Sequence, residues 1–511
     1  MDKSILNKRI KSLIKFLLFM AFVVISLKIT GVSLKVLNRR GYRFFEFIGK
    51  MFPIDFAYGS RVFSPLWDTI RMSVAGTFIG AFAGIFTALL SSKNLHINKI
   101  IVYVIKVVVQ VIRTIPVLII ALICTFFFGI GTFAGTVALA VYTWAILTRI
   151  GSELIDGTPV DAYEVLVNSG CFGVKAFFRT IFIQVIPGYL ENALYVLESN
   201  VRQASILGYV GAGGIGLLLS EEMSFRMYAR IGTILSMLFV AIVIIEGLSI
   251  FLRNYLTGKI RHRKFLNIVM GIVFAALAAV SIFSVQRPDV TVLGVKVAFN
   301  MIKGILHPDL AYMFKWSTDG VLYLVFETIC IAGLGTIFGA VIALILSLLG
   351  SFSLVPKYLA VPVRIVIMSI RTVPVFIYGL MFIRVTGPGN FAGVLTISLC
   401  SVGLLSKRFM VSIDDYDKSA WNACKAMGVG FVGRVKYCLW PQIKTSLKAS
   451  VLYRFDVNIR EASVLGLVGA GGIGAPLIMY MNNYRWDAVG SILIVLFVVI
   501  LIIEMVSYRS R

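Results

Sequence analysis

The stretch GYVGAGGIGLLL at residues 208–219 occurs a second time, slightly altered, as GLVGAGGIGAPL at residues 466–477. The stretch RTIPV at residues 113–117 likewise recurs as RTVPV at residues 371–375. The spacing is the same in both cases, because 466 − 208 and 371 − 113 both equal 258. A fixed spacing over this length indicates a tandem repeat. We therefore expect two copies of one unit in a single chain, as domains 1–258 and 259–511.

The composition is typical of a membrane protein. Of the 511 residues, 59% are hydrophobic and 14% are charged, and the mean hydropathy is +0.92, whereas soluble domains average about 25% charged residues. Several apolar runs reach about 20 residues, the length that a transmembrane helix needs. We expect an all-α polytopic membrane protein of two parallel repeats with about six transmembrane helices each, about 12 in total. The expected spans are 10–33, 68–92, 98–128, 133–151, 186–208 and 231–253 in the first repeat, and 265–285, 318–350, 353–385, 391–406, 444–466 and 488–507 in the second.

The net charge is strongly positive, with 49 Lys and Arg against 24 Asp and Glu. Basic residues of membrane proteins collect in cytoplasmic loops, which explains the excess without a nucleic-acid partner. The basic start, MDKSILNKRIK, precedes an apolar run without a cleavage site, so we expect a retained first span and cytoplasmic N- and C-termini. The six cysteines form no C-x-x-C pair and the three histidines lie far apart, so we expect reduced thiols and no metal site.

Charged residues interrupt the fifth expected span of each repeat, where an acidic residue precedes an arginine by four positions. This spacing allows an ion pair along one face of a helix. A charge at membrane depth is costly and usually faces a partner or a water-filled cavity. Two interpretations stay open: the ion pairs stabilise the bundle, or this face lines a translocation pathway. The residues concerned are Glu198, Asn200, Arg202, Asp456, Asn458 and Arg460.

The repeated R-T-x-P-V stretch also combines polar side chains with a helix breaker. The proline three residues after the arginine is expected to break the helix and to free a carbonyl near residue 112 or 370. Broken helices with polar groups are common where transporters bind solutes. If the solute carries phosphoryl oxygens, an arginine fork would match them. The alternative is an arginine that reaches lipid headgroups. The candidate pathway residues here are Arg113, Thr114, Arg371 and Thr372.

A long polar segment follows the fourth span of each repeat, at residues 152–186 and 407–443. Each is predicted to form a short helix, a glycine turn and a second short helix on the cytoplasmic side. In the first copy, Thr158 is the expected N-cap and Pro159 the first helical residue. The alternative is an amphipathic loop on the membrane surface.

These two segments resemble the coupling loop of ABC importer permeases, whose signature is E-A-A-x3-G-x9-I-x-L-P. The first copy keeps Glu164 and Gly170, with Ile183 at the proline position. The second keeps Ala423, Gly428 and Pro441, with Asn422 at the glutamate position. The residues expected to couple to an ATPase are Asp161, Glu164, Gly170, Ala423, Gly428 and Pro441.

The repeats are most similar to the phosphonate-type branch of these permeases, through RTVPV, FAGV and LYRFDVNIREASVLGLVGAGGIG. The resemblance implies two permease subunits fused in one chain, in a bacterial inner membrane. It also implies two copies of a cytoplasmic ABC ATPase that binds ATP and Mg²⁺, an extracytoplasmic substrate-binding protein, and a phosphonate, phosphite, phosphate or organophosphate substrate. Since no G-x4-G-K-[ST] motif occurs, we expect the ATPase to be a separate chain. We expect this chain to be a transport component and not an enzyme.

Two other functions fit parts of the sequence. A gradient-driven secondary transporter also has two six-helix halves, but it would not need the two helix–glycine–helix segments. An oxidoreductase is suggested by the G-x-G-x-x-G pattern, but that pattern binds dinucleotides only after a strand and within a βαβ unit. We instead expect tight re-entrant turns that form an outer gate, at Gly211, Gly213, Gly214, Gly216, Gly469, Gly471, Gly472 and Gly474.

Overall fold

The computed structural model describes residues 3–95, 98–256, 279, 281, 283 and 292–509. Within these residues the regular structure is helical and no strand occurs, which confirms the predicted all-α class. The chain forms two compact units. The middle unit is Gly49–Met301, and the terminal unit combines Met1–Ile48 with Ile302–Arg511.

In the first sequence repeat the helices in chain order are α1 (Lys3–Thr30), α2 (Leu34–Arg40), α3 (Tyr42–Met51), α4 (Gly59–Ser91), α5 (Lys99–Thr114), α6 (Val117–Phe128), α7 (Thr132–Asp156), α8 (Asp161–Asn168), α9 (Gly173–Arg179), α10 (Ile181–Leu207), α11 (Ile215–Ser224) and α12 (Tyr228–Leu256). After them come α13 (Val292–Leu306), α14 (Leu310–Met313), α15 (Val321–Gly350), α16 (Lys357–Thr372), α17 (Val375–Thr386), α18 (Asn390–Asp414), α19 (Lys418–Ala426), α20 (Phe431–Arg434), α21 (Trp440–Leu465), α22 (Gly474–Asn482) and α23 (Trp486–Arg509).

The core of each unit is a pair of closely packed long helices, α4 with α7 and α15 with α18. Glycines allow this closeness, because a Cβ atom on Gly80 would lie 2.5 Å from the Ala140 carbonyl oxygen. A Cβ atom on Gly339 would lie 2.5 Å from the Ser401 Cβ. Small residues at helix interfaces are the usual means of close packing within a membrane, where lipid removes the hydrophobic drive between helices.

Ten of the expected spans coincide with helices that are long and apolar enough to cross a membrane. Six are single helices and four are helix pairs bent by more than 40°. Of the expected span 265–285, the structure describes only residues 279, 281 and 283. The expected span 444–466 is helical, as α21, but its charged residues keep it out of the apolar set.

The two R-T-x-P-V stretches break their helices as predicted. The chain bends by 94° between α5 and α6 and by 91° between α16 and α17. The carbonyls expected to be free are nevertheless bonded. Ile115 N donates to Ile112 O at 3.2 Å, and the Tyr378 hydroxyl donates to Ile370 O at 3.1 Å. The prediction of free carbonyls is therefore wrong, because neighbouring donors replace the missing helical ones.

The N-terminal helix α1 belongs to the terminal unit, where it packs against α15 and α18. The contact is close because Gly333 has no side chain: a Cβ atom there would lie 2.7 Å from the Phe22 ring. The predicted domains, 1–258 and 259–511, place this helix with the first repeat. The compact units thus group the N-terminal residues differently from the sequence repeat, and the boundary at residue 258 falls outside the described residues.

Candidate functional site: elbows, charged helices and glycine turns

The segment after α7 forms the predicted helix–glycine–helix elbow from α8 and α9, which we call the middle elbow. Gly170 has φ +83° and ends α8, and the next amide, Cys171 N, donates back to Leu166 O at 2.9 Å. A left-handed residue with this return bond is a common helix end, and it favours glycine. Tyr163 anchors the elbow against the helices, and its burial raises the pKa of its hydroxyl.

One detail of the middle elbow was predicted wrongly. The helix begins at Asp161 rather than at Pro159, and its N-cap is Val160. The Thr158 hydroxyl does not cap the helix, because it donates back to Leu154 O, at 2.8 Å, in the preceding helix α7. Back-bonding to a carbonyl four residues earlier competes with capping for the same hydroxyl.

The segment after α18 forms a second elbow from α19, a left-handed Gly428 at φ +77°, and α20 continuing into a π-helical turn at Val435–Leu439. We call it the terminal elbow. Asp417 caps α19 by accepting hydrogen bonds from the Ser419 hydroxyl and amide, which lower the pKa of the Asp417 carboxyl. Trp421 packs its ring at the base of this elbow.

Both elbows expose side chains that could contact a partner. Asp161 and Glu164 are exposed on α8, and Ala423 is exposed on α19. Large apolar side chains are exposed beside them, namely Val165, Phe172 and Val174 on the middle elbow and Met427, Phe431, Val432 and Tyr437 on the terminal elbow. Pro441 lies instead in the first turn of α21, so it starts the long helix after the elbow.

The long helix that follows each elbow carries the predicted ion pair. In α10, Arg202 Nη1 lies 2.9 Å from Glu198 Oε1. In α21, Arg460 pairs with Asp456 in the same way. Glu198 is buried, whereas Arg202, Asp456 and Arg460 are partly exposed. The predicted pairing along one helix face is therefore confirmed, and it satisfies charges that would be costly in an apolar setting.

The two asparagines in these helices occupy a different environment. Asn200 and Asn458 are both 0% exposed. Asn200 Nδ2 donates to Thr77 and Thr143 at 2.8 and 2.7 Å, so it joins α10 to α4 and α7. Asn458 does the same with Thr336 and Ser401, at 2.7 and 2.8 Å. Complete burial argues against the prediction that these two side chains line a pathway; here they hold three helices together.

Three of the polar side chains at the helix breaks form hydrogen bonds within their own helices. Arg113 Nη1 donates to Gln110 Oε1 at 2.8 Å. Thr114 Oγ1 donates to Gln110 O at 2.8 Å, and Thr372 Oγ1 donates to Met368 O at 2.9 Å. Both threonines are buried. Arg371 packs against Gly403, where an added Cβ would lie 3.0 Å from the arginine Cγ.

The glycine stretches form tight turns between helices. Three glycines of each copy have left-handed backbones with φ between +70° and +80°, at Gly211, Gly213, Gly214, Gly469, Gly471 and Gly472. Gly131 N donates to Gly211 O at 3.0 Å, and Ile215 N donates to the Thr69 hydroxyl at 2.8 Å. Each turn is thus pinned to the start of α7 and to α4, or to α18 and α15 in the second copy.

Two of the predicted turn glycines lie in helices instead. Gly216 is in the first turn of α11 and Gly474 begins α22. They are needed for close packing, since a Cβ atom on Gly216 would lie 2.4 Å from Ser205 O. Helices lie on both sides of each turn, and no strand occurs in the part of the chain that the structure describes. The dinucleotide-site interpretation therefore lacks its βαβ unit.

The arrangement of long paired helices, elbows and turns occurs once in each half, and sequence comparison gives the same division. The family model described as "Binding-protein-dependent transport system inner membrane component" matches residues 80–265 and again residues 335–509. These two matches cover more than half of the chain. This chain belongs to that family. The double match confirms the predicted tandem repeat of two permease units.

Two curated relatives illustrate the family. The Phosphate-import permease protein PhnE of Mycolicibacterium smegmatis is 27% identical over 452 residues, which cover 87% of this chain and 84% of that protein. The Phosphite transport system permease protein PtxC of Stutzerimonas stutzeri is 27% identical over 207 residues, covering 40% of this chain and 75% of that protein. Among solved structures, a chain of the inward-facing MetNI methionine ABC transporter matches 40% of this chain and 99% of its own length, at 19% identity and a TM-score of 0.37.

As a binding-protein-dependent inner membrane component, the chain is a transport protein and not an enzyme. Its family places it with an ATPase and with a substrate-binding protein. One repeated feature escaped the sequence reasoning. Asp156 and Asp414 end α7 and α18, directly before each elbow, and both accept several hydrogen bonds from the loop after α4 or α15. The only sequence signal for them is their spacing, since 414 − 156 is again 258.

Proposed function

We propose that this family member is the permease through which an ATP-driven importer carries a small phosphorus oxyanion, such as phosphonate, phosphite, phosphate or an organophosphate. Two relatives named for phosphate import and phosphite transport support this substrate class. The side chains Arg113 and Arg371 at the helix breaks support it as well, because a guanidinium fork matches phosphoryl oxygens. In this proposal Arg202 and Arg460, which are partly exposed, belong to the same route.

The observation that carries the coupling is the presence of one elbow in each half. Each elbow is anchored by a buried aromatic residue, Tyr163 or Trp421, and bends at a left-handed glycine. Each exposes apolar side chains that a partner groove would cover. Two elbows fit two copies of an ATPase, one copy on each elbow. A rigid helical elbow transmits a displacement to the long helix that follows it, whereas a flexible loop would absorb it.

The sidedness follows from the same arrangement. The glycine turn lies at the opposite end of α10 from the middle elbow, and the same holds for α21 and the terminal elbow. If the elbows face a cytoplasmic ATPase, both turns face outward beneath the substrate-binding protein and form the outer gate. In this proposed orientation both termini lie in the cytoplasm. The two permease domains of the proposal remain those of the sequence repeat, residues 1–258 and 259–511.

Replacing the elbow glycines tests the coupling. A Cβ atom on Gly170 or Gly428 would meet nothing within 4 Å, so a side chain fits, but the left-handed backbone disfavours it. We expect Gly170→Val with Gly428→Val to abolish ATP-dependent uptake while the protein still inserts in the membrane. Gly170→Asn with Gly428→Asn is the matched control, because asparagine tolerates this backbone conformation. Full uptake by the valine variant would refute the coupling role.

The substrate class is tested with radiolabelled phosphate and by growth on phosphite or methylphosphonate as the only phosphorus source. We expect uptake of at least one of these oxyanions to need this chain and to stop when ATP is depleted. Co-purification of an ATPase with the chain would exclude the gradient-driven alternative. Uptake that persists without ATP and stops with an ionophore would instead establish it.

A further inference from the structure

We propose that Asp156 and Asp414 are positioning residues that hold the start of each elbow against the helix that carries the R-T-x-P-V break. The inference rests on the proposed coupling function. Each aspartate is the last residue of its helix and lies within five residues of the first elbow helix. Each therefore lies where a displacement of the elbow enters the long helix pair of its unit.

The first set of contacts consists of hydrogen bonds from the loop that follows α4 or α15. In the middle unit, Asp156 Oδ1 accepts from the Ser92 hydroxyl at 2.5 Å and from Lys93 N at 2.8 Å. In the terminal unit, Asp414 Oδ1 accepts from the Ser351 hydroxyl at 2.5 Å and from Ser353 N at 3.2 Å. The side chains of Ser92 and Ser351 are completely buried. Hydrogen bonds to an ionised acceptor are stronger than neutral ones.

The second contact of each aspartate is an ion pair with a basic side chain of the broken helix. Arg364 in α16 donates to Asp414 Oδ2 at 2.7 Å, donates to Gly350 O at 2.7 Å, and stacks over the Phe352 ring. At the matching place in α5, Lys106 Nζ lies 3.9 Å from Asp156 Oδ2. Each cation lies seven residues before Arg371 or Arg113 on the same helix. The carboxylate thus connects the start of the elbow with the end of α4 or α15. It also connects the elbow with the helix that leads to the candidate substrate arginine.

The two sets of contacts differ in strength. An arginine makes a planar, directed contact and here has three partners, whereas a lysine at 3.9 Å is a point charge at the limit of an ion pair. Both contacts are about one quarter to one third exposed, so each ion pair alone is weak. We therefore expect the contacts of Asp414 to hold the terminal elbow more tightly than the contacts of Asp156 hold the middle elbow.

The test uses the full chain with its co-purified ATPase and binding protein in proteoliposomes, and it measures ATP hydrolysed for each substrate molecule imported. Asp414→Asn keeps the shape but loses the charge, and we expect this ratio to rise several-fold while the complex still assembles. Asp156→Asn should raise it less. Asp415→Asn is the matched control, since Asp415 is the next residue, is exposed and loses the same charge. An unchanged ratio in Asp414→Asn, or an equal rise in the control, would overturn the proposal.

A second readout does not depend on transport. Amide hydrogen exchange should quicken in residues 414–426 of Asp414→Asn and of the milder Ser351→Ala, but not in Asp415→Asn. Equal exchange in all three variants would also overturn the proposal, even if one variant failed to assemble. The unaltered protein separates the two hypotheses: if it shows no ATP-dependent uptake, the proposed function fails, whereas the exchange result still decides whether the aspartates hold the elbows.

Discussion

Arg454 donates to both carboxylate oxygens of Glu461, at 3.2 and 2.6 Å, across two turns of α21. This ion pair has no counterpart in the first repeat, where Val196 and Gln203 stand 258 residues earlier. The Arg454 side chain is only 5% exposed, whereas that of Glu461 is 29% exposed. The two halves therefore share a fold and an ion pair at each fifth helix, but the second half carries an additional buried arginine.

Removing Glu461 alone should destabilise the protein. Glu461→Gln leaves Arg454 buried without its ion pair, and we expect a loss of about 2 kcal/mol, below the about 3–5 kcal/mol of a fully buried pair because Glu461 is partly exposed. The double variant Arg454→Val with Glu461→Gln recreates the residues of the first repeat and should recover most of this loss. Thermal unfolding in detergent measures both. A double variant as unstable as the single one would contradict the explanation.

The buried asparagines should matter for stability rather than for uptake alone. Asn458→Ala deprives the hydroxyls of Thr336 and Ser401 of a shared partner, and we expect a loss of about 1–3 kcal/mol, the usual cost of unsatisfied buried groups. The exposed Asn482→Ala is the control. If Asn458→Ala has an unchanged unfolding temperature and loses only uptake, the residue lines the route after all.

The glycine turns offer a matched pair of substitutions. Gly469 and Gly471 have nearly the same backbone, with φ +79° and +80°. An added Cβ on Gly469 would first meet Pro388 at 3.7 Å, whereas on Gly471 it would lie 2.7 Å from the backbone nitrogen of Asn390. Gly469→Ala should cost only the conformational strain, about 1–2 kcal/mol. Gly471→Ala should cost about 1–3 kcal/mol more. Equal unfolding temperatures would contradict the packing described for this turn.

The terminal elbow contains two thiols in contact. Cys438 Sγ lies 2.7 Å from Cys424 Sγ, and the first repeat has Leu166 and Thr180 at the equivalent positions. A thiol-specific diazene oxidant should take two electrons and two protons from the pair and leave a disulfide between α19 and the π-helical turn. Mass spectrometry after alkylation should show two thiols lost together. Cys424→Ser should prevent this, and loss of only one thiol would argue against the contact.

The same pair predicts a pH dependence. The adjacent Cys424 sulfur raises the pKa of the Cys438 thiol above its usual range. An ordinary cysteine thiol has a pKa of about 8.5. Because the thiolate is the reactive form, the rate of alkylation of Cys438 should reach half its maximum at a higher pH than that of an ordinary thiol. In Cys424→Ser the midpoint should fall. A free cysteine thiol has a pKa of about 8.5. A midpoint below that value in the unaltered protein would contradict this.

Much of the fold followed from local features of the sequence. The apolar runs predicted ten of the spans that the described residues contain, because a helix in lipid must satisfy its own backbone and cover about 20 apolar residues. The prolines at 116 and 374 predicted two of the four bent spans, and the four-residue spacing predicted the ion pairs of α10 and α21. The glycines at 170 and 428 predicted the elbows, since each has the left-handed backbone that ends a helix. All of these depend on contacts within a few residues.

Tertiary structure decided what depends on distant residues. Asn200 and Asn458 look like pathway residues in the sequence, yet hydroxyls on two other helices bury them. The carbonyl of Ile370 is bonded because Tyr378 folds back from beyond the bend. The aspartates before the elbows have their hydrogen-bond partners only because the loop after the second span reaches them. The sequence by itself determined the repeat, which is visible as a constant spacing of 258 residues, and the helices and their breaks, which depend on nearby residues. The partners of the buried polar groups were decided only by the fold, because chain segments far apart in sequence supply them.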